Sequence, residues 1–168
     1  MRAILTAVAL LVTLPIHLFA ASNSDIVSQI TADYSAECTT EQKRISTNET
    51  DTIAAELSVL DENVYEMKIT AGGKQATVLF ADFSCPNVGA SYWCGSSGCA
   101  VYIIVDGVSY QTRGWKPFSV TRGKEVLVIL PKSGIACDQY NAAPCYAVTV
   151  WDETEKTFNS VGSVLKIN

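Results

Sequence analysis

Apolar and polar positions change their spacing twice along the chain. Ala3 to Phe19 is apolar except at Thr6, Thr13, Pro15 and His17, follows the basic Met1-Arg2, and precedes the small residues Ala20, Ala21 and Ser22. A positive start, an apolar stretch and small residues for cleavage make up a secretory leader, whereas a membrane anchor needs roughly 20 apolar residues. Residues 1–21 are thus expected to be a signal peptide, and no second long apolar run follows. From Ser24 to Cys38 the pattern becomes helical: Ile26, Ile30, Tyr34 and Cys38 recur every four residues as one slowly rotating stripe. Ser24 is the expected N-cap, and Asp25 sits at the positive end of the helix dipole. Asp33 and Glu37 fall off the stripe, which places them in solvent.

Residues 39–56 are polar without a clear period and read as a loop, with a short helix at Asp51 to Leu57. Beyond Val64 the spacing falls to two. Tyr65, Met67 and Ile69 alternate with Glu66 and Lys68, Gly72-Gly73 supplies a turn, and Gln75 to Phe83 returns as the second strand of a hairpin. Ala100 to Val105 and Val108 to Thr112 flank Asp106-Gly107, a pair that favours a type I′ turn because both positions take positive φ. Val126 to Leu130 is continuously apolar and ends at Pro131, which predicts a buried central strand. Tyr146 to Trp151 alternates, a polar turn at Asp152 to Lys156 leads into Thr157-Phe158, and Val164 to Ile167 is a last short strand. The fold expected is α+β, mostly β: one N-terminal helix on an antiparallel sheet of about six to eight strands, disulfide-stabilised. Residues 22–63 (helix and polar loop) and 64–168 (β-rich core) are expected to form one domain.

Composition narrows the function. The 168 residues are 48% hydrophobic with a net charge of −5; without residues 1–21, Arg2 and the sole histidine His17 go, and the charge becomes −6. A histidine-based triad, a histidine-ligated metal and a nucleic-acid binder driven by positive charge are excluded. Charge is unevenly spread: residues 22–66 carry ten acidic against two basic side chains, whereas 113–132 carry Arg113, Lys116, Arg122, Lys124 and Lys132 against Glu125.

All six cysteines, Cys38, Cys85, Cys94, Cys99, Cys137 and Cys145, follow the leader, and an even number in an exported chain implies disulfides. Proximity favours Cys94–Cys99 and Cys137–Cys145, which leaves Cys38–Cys85 by exclusion; Cys85–Cys94 is the alternative. The Cys94-Gly95-Ser96-Ser97-Gly98-Cys99 loop reads as a cystine turn whose N–H groups can cradle an anion. A phosphatase loop would need arginine where Ala100 stands, and the Gly-x-Ser-x-Gly and Cys-x-x-Cys motifs are absent. Asp61-Glu62-Asn63 lacks the spacing of a calcium loop, and Ser163-Val164-Leu165-Lys166 has no companion motif. No cofactor and no metal are implied.

Two carboxylates can still run hydrolysis without histidine. Asp82 is the most interesting acid, with Asp138 and Asp152 beside later cysteines, but no spacing pairs two of them. Trp93 and Trp151 are expected to pack inside, and Trp115, among turn formers and charges, to be exposed. Tyr92, Arg113, Trp115, Lys116 and Arg122 form the candidate binding patch. Asn48-Glu49-Thr50 matches a glycosylation acceptor.

Three segments carry a resemblance: Asp82-Phe83-Ser84-Cys85, the Trp93-Cys94-Gly95-Ser96-Ser97-Gly98-Cys99 turn before an apolar strand, and Ser133-Gly134-Ile135-Ala136-Cys137 through Pro144-Cys145 to Trp151. Over roughly residues 64–158 the chain resembles a loosely defined group of exported bacterial proteins without an assigned function, which share a Cys-Gly-Ser-Ser/Gly-Gly-Cys turn. The resemblance implies export, cystines and β structure. Some members carry an acidic loop before the strand leading to the first of these cysteines; here that place reads Ala71-Gly72-Gly73-Lys74. The expectation is a periplasmic or secreted binding or accessory module of the bacterial envelope, acting by surface complementarity. Its partner would be a protein, a glycan or an anionic envelope component, with no nucleic acid and no membrane span after leader cleavage. A carboxylate-based hydrolase and a structural or assembly subunit are the alternatives.

Overall fold

The structure is a computed structural model that describes residues 21–46, 57–90, 92–140, 143 and 145–161. The leader, the Asn48-Glu49-Thr50 sequon, the short helix expected at Asp51 to Leu57 (all but Leu57), the strand at Val164 to Ile167 and the Ser163 to Lys166 motif lie outside the described residues. The elements are α1 (Asn23–Ile45), β1 (Val64–Lys68), β2 (Gln75–Phe80), β3 (Ser84–Cys85), β4 (Gly89–Ala90), β5 (Cys99–Val105), β6 (Val108–Gly114), β7 (Phe118–Arg122), β8 (Glu125–Lys132), β9 (Cys145–Asp152) and β10 (Thr157–Ser160). One four-stranded sheet runs β1-β2-β5-β6 and another β10-β9-β8-β7, with β3 and β4 as a small separate pair. Every pairing is antiparallel. The mostly-β, α+β expectation holds, with the long strands divided between two sheets.

Three layers result. Met67, Ile69, Val78, Val101, Ile103 and Val105 of the first sheet pack against Val128, Leu130 and Trp151 of the second. On the other face of the first sheet, Leu79, Ala81, Phe83 and Ala100 pack with Val27, Ile30 and Tyr34 of α1. A sheet covered on both faces needs apolar residues at consecutive positions, which is why β5 reads Ala-Val-Tyr-Ile-Ile-Val. Among the described residues, the second sheet meets another layer on one face. Its β8 accordingly alternates, with Val126, Val128 and Leu130 buried and Leu127 and Ile129 half-buried, which corrects the expected burial of the whole Val126 to Leu130 run.

Other boundaries move for local reasons. Ser22, not Ser24, caps α1: Ser22 Oγ accepts from Asp25 N (3.2 Å), and Asp25 Oδ2 accepts from Ser22 N (3.0 Å), a reciprocal capping box. The helix also continues to Ile45 through residues expected to be a loop. Thr39 and Thr40 return their hydroxyls to the carbonyls of Ser35 and Ala36, while the buried Gln42 donates to Pro86 O (2.9 Å). Tertiary anchoring outweighs weak helix propensity here. β2 stops at Phe80 rather than Phe83, because Asp82 N turns back to Phe80 O (2.8 Å). β8 runs through Pro131, whose carbonyl accepts from Trp115 N (3.0 Å). A residue's N and C=O share one side of a strand, so the missing N–H of Pro131 faces away from β9 and breaks no bond of that ladder.

The turns follow their residues. Asp106 (φ 50°) and Gly107 (φ 77°) both take positive φ, as a type I′ turn requires. All six cysteines pair: Cys38–Cys85, Cys94–Cys99 and Cys137–Cys145, with Cα–Cα distances of 5.7, 4.2 and 6.1 Å. Cys38–Cys85 ties α1 to the chain just beyond β2. Among the described residues no helix is long and apolar enough to cross a membrane.

Candidate functional site

At one end of the molecule the first sheet hands over to the second, and most of the chemistry singled out in the sequence gathers there. β6 ends at Arg113-Gly114, and only Trp115, Lys116 and Pro117 separate it from β7. The crossing is tight. A Cβ on Gly114 would lie 2.4 Å from Pro131 O, and one on Gly98 (φ 87°) would lie 2.1 Å from Gly114 O. Glycine at both positions lets the start of β5, the end of β6 and β8 approach closely enough to present the crossover at the surface.

Three cations meet main-chain carbonyls here. Arg113 Nη2 donates to Trp93 O (2.8 Å), and Lys116 Nζ donates to Glu62 O (2.8 Å) while lying 4.9 Å from the Tyr65 ring centroid. Lys132 Nζ donates to Thr112 Oγ1 (2.8 Å) and to Arg113 O. None of the three has a carboxylate within ion-pair distance among the described residues. Burial lowers the pKa of Lys132 from its ordinary value, the direction expected of a desolvated ammonium without a counter-charge.

Trp115 in the crossover and Tyr92 beside Trp93 add exposed aromatic area. Trp115 and Tyr92 are each 41% exposed. Tyr92 meets Trp93 edge-on at 5.1 Å, and Trp93 in turn contacts Tyr34 and Phe83 between α1 and the first sheet. Trp93 Nε1 is buried without a hydrogen-bond partner among the described residues. Desolvation and the Glu41 carboxylate raise the Tyr92 pKa from its ordinary value. Trp151 packs in the core, as expected, and Trp93 is half-buried.

Arg113, Trp115 and Lys116 thus follow one another at the crossover, while Tyr92 lies against Trp93, whose carbonyl Arg113 binds, and beside Glu41 of α1. Arg122 is not with them: it pairs with Glu125 at the β7–β8 hairpin, at the far end of β7 from the crossover. Lys132 takes its place. It belongs to the basic segment visible in the sequence, but only the ladder, which sets Lys132 against Cys145 beside the end of β6, shows where its ammonium goes.

Beside Lys116 lies a depression of about 120 Å³ lined by Leu60, Glu62, Asn63, Phe80, Asp82 and Lys116. Its floor is organised by Asn63, which is 4% exposed. Asn63 Nδ2 donates to Phe80 O (3.0 Å) and Asp82 O (3.4 Å), and Asn63 Oδ1 accepts from Leu60 N (2.8 Å). Asp82, Cys94 and Cys99 place one ligand atom each within 4.8 Å of one another. Cys94 and Cys99 are a cystine, however, so the cluster offers a cation a single carboxylate and no thiolate. Within the Cys94–Cys99 loop, Gly95 N and Gly98 N bond to each other's carbonyls (3.1 and 2.9 Å). Those two N–H groups are spent closing the turn and are not free for an anion. Asp138 caps a 3₁₀ turn in the left-handed region (φ 56°), and Asp152 Oδ1 accepts from Thr154 N and Glu155 N. Both acids serve turns.

Comparison with protein-family models, with curated proteins and with solved structures finds no match.

Proposed function

We propose that this protein is an exported, periplasmic or secreted binding module of the bacterial envelope that engages its partner through the crossover surface. Arg113 and Lys116, with Lys132 behind them, supply positive charge, and Trp115 and Tyr92 supply flat apolar area. The observation that carries the reading is that these cations spend their hydrogen bonds on carbonyls and one hydroxyl, so no carboxylate among the described residues cancels their charge. A partner presenting carboxylates or phosphates beside an apolar or sugar face complements such a surface. The cystine turn and the two-glycine crossing hold the surface rigid, which lowers the ordering cost of binding.

The hydrolase alternative draws on one observation: Glu62 and Asp82 line the same depression. At about 120 Å³ it is well below the 300–1,000 Å³ of sites that enclose a small-molecule ligand. A surface reading fits this shape better.

The test is retention of envelope components by immobilised wild type, by the Arg113→Ala/Trp115→Ala/Lys116→Ala triple variant and by Arg122→Ala. A component retained by wild type and Arg122→Ala but lost from the triple variant is the expected result. Equal retention by all three overturns the assignment of the surface. Glycan hydrolysis abolished by Asp82→Asn or Glu62→Gln would replace binding with catalysis.

A further inference from the structure

Strand β7 is turned inside out relative to its sheet. Phe118 and Val120 pair with Ile129 and Leu127, which lie on the outer face, while Ser119 and Thr121 pair with the core-facing Val128 and Val126. Phe118 and Val120 are each 44% exposed, and the strand is an edge of the sheet. Edge strands are normally protected by interior charges, proline or a bulge. Within Phe118–Arg122 the only charge is the last residue, and Pro117 stands before the strand. The other edges are less inviting: β1 carries Glu66 in its middle, β6 carries Arg113, and outward-facing Asn159 of the short β10 is polar.

The hairpin fixes which backbone groups this edge offers. Arg122 pairs with Glu125 across Gly123-Lys124, and of these two loop residues only Gly123 has positive φ (61°), the pattern of a type II′ turn. A two-residue loop closes on a hydrogen-bonded pair, and bonded pairs then alternate along the ladder. Arg122, Val120 and Phe118 therefore bond to β8, and the N–H and C=O of Ser119 and Thr121 point to the open edge. No hydrogen bond to another described residue occupies them.

We propose that β7 pairs antiparallel with β7 of a second copy of this chain, about a two-fold axis at Val120, joining two second sheets into one eight-stranded sheet. The segment Phe118-Ser119-Val120-Thr121-Arg122 is complementary to itself in this register. Ser119 meets Thr121 of the other copy twice, which uses the four N–H and four C=O groups of the two open edges in four hydrogen bonds. Val120 meets its own counterpart on the axis. Each Phe118 ring faces the Arg122 guanidinium of the other copy, a cation–π pair that symmetry repeats. The exposed Phe118 and Val120 side chains then lie within a continuous sheet face instead of at its border.

Sedimentation of the unreduced protein at concentrations on the order of 10–100 μM tests this. The expected result is a dimer, reduced at least about tenfold in association by Val120→Lys, which sets two ammonium groups on the axis, and by Thr121→Pro, which removes an edge donor. Val108→Lys, at the exposed β5–β6 turn, leaves the dimer unchanged. Val120→Cys should crosslink two chains under mild oxidation, because unbonded antiparallel pairs hold their Cα atoms at about 4.5 Å. Circular dichroism confirms folding, and if Thr121→Pro fails to fold, Val120→Lys and Val120→Cys still decide. A wild-type monomer with no Val120→Cys crosslink overturns the proposal, as does a dimer that Val120→Lys leaves intact.

Discussion

Two glycines and one glutamate show how single positions govern this structure. A methyl group on Gly114 would collide with the Pro131 carbonyl at 2.4 Å, and backbone cannot rotate away as a side chain can. Gly114→Ala is expected to cost about 1–3 kcal/mol by overpacking, whereas Gly123→Ala meets nothing within 4 Å and bears only the left-handed penalty of its φ of 61°. Chemical denaturation of the two variants should rank them in that order. Glu153 accepts from Lys156 Nζ, Lys74 Nζ and Trp151 Nε1, which lowers its pKa from 4.5 to about 2. A carboxylate whose folded pKa is depressed contributes stability at neutral pH and loses it as pH falls from 4.5 toward 2. The melting temperature of wild type should therefore exceed that of Glu153→Gln at pH 7, and the gap should close by pH 2. Nothing in the sequence marks this glutamate, because its partners arrive from β9, from the β1–β2 turn and from the β9–β10 turn, which only the fold assembles.

At the scale of elements, α1 shows both the reach and the limit of pattern reading. Its apolar stripe is visible from Ile26 to Cys38 because α-helical spacing survives there. The last seven residues are not, because what holds Thr39 to Ile45 in the helix is one cystine and one buried glutamine bonded to Pro86. Cys38–Cys85 closes a separation of 47 residues, which in the chain-entropy model is worth about 4 kcal/mol. The Cys38→Ala/Cys85→Ala pair is predicted to lose about that much in denaturant unfolding, and its α1 amides should exchange with solvent faster than those of the second sheet. The β1–β2 and β5–β6 hairpins were legible because Gly72-Gly73 and Asp106-Gly107 stand between clear apolar runs, whereas the β7–β8 turn at Gly123-Lys124 follows a segment without one. Strand β7 was not legible, since Phe118 and Val120 are isolated apolar positions among Lys116, Ser119, Thr121, Arg122 and Lys124, and only the ladder with β8 shows the strand and which face those two residues take.

For the whole molecule, the class was readable and the layering was not. One helix followed by alternating and continuously apolar runs specifies α+β, yet two continuously apolar runs, in β5 and β8, look alike in sequence. The difference is external to both strands: α1 covers the outer face of the first sheet, and no described element covers that of the second. The candidate site was half legible for the same reason. Arg113, Trp115 and Lys116 are neighbours in the chain, so they stay together in any fold. Tyr92 joins them through Trp93, Arg122 leaves along β7, and Lys132 arrives across β8, none of which local spacing encodes.

Binding through a rigid surface rests on a framework in which all six sulfurs are committed to crosslinks. Thiol titration of the unreduced, denatured protein, combined with mass mapping of its non-reduced peptides, measures this directly. No titratable thiol and three crosslinked species, Cys38–Cys85, Cys94–Cys99 and Cys137–Cys145, are expected. Free thiols at Cys94 and Cys99, or a stoichiometric metal ion held by them with Asp82, would contradict this framework.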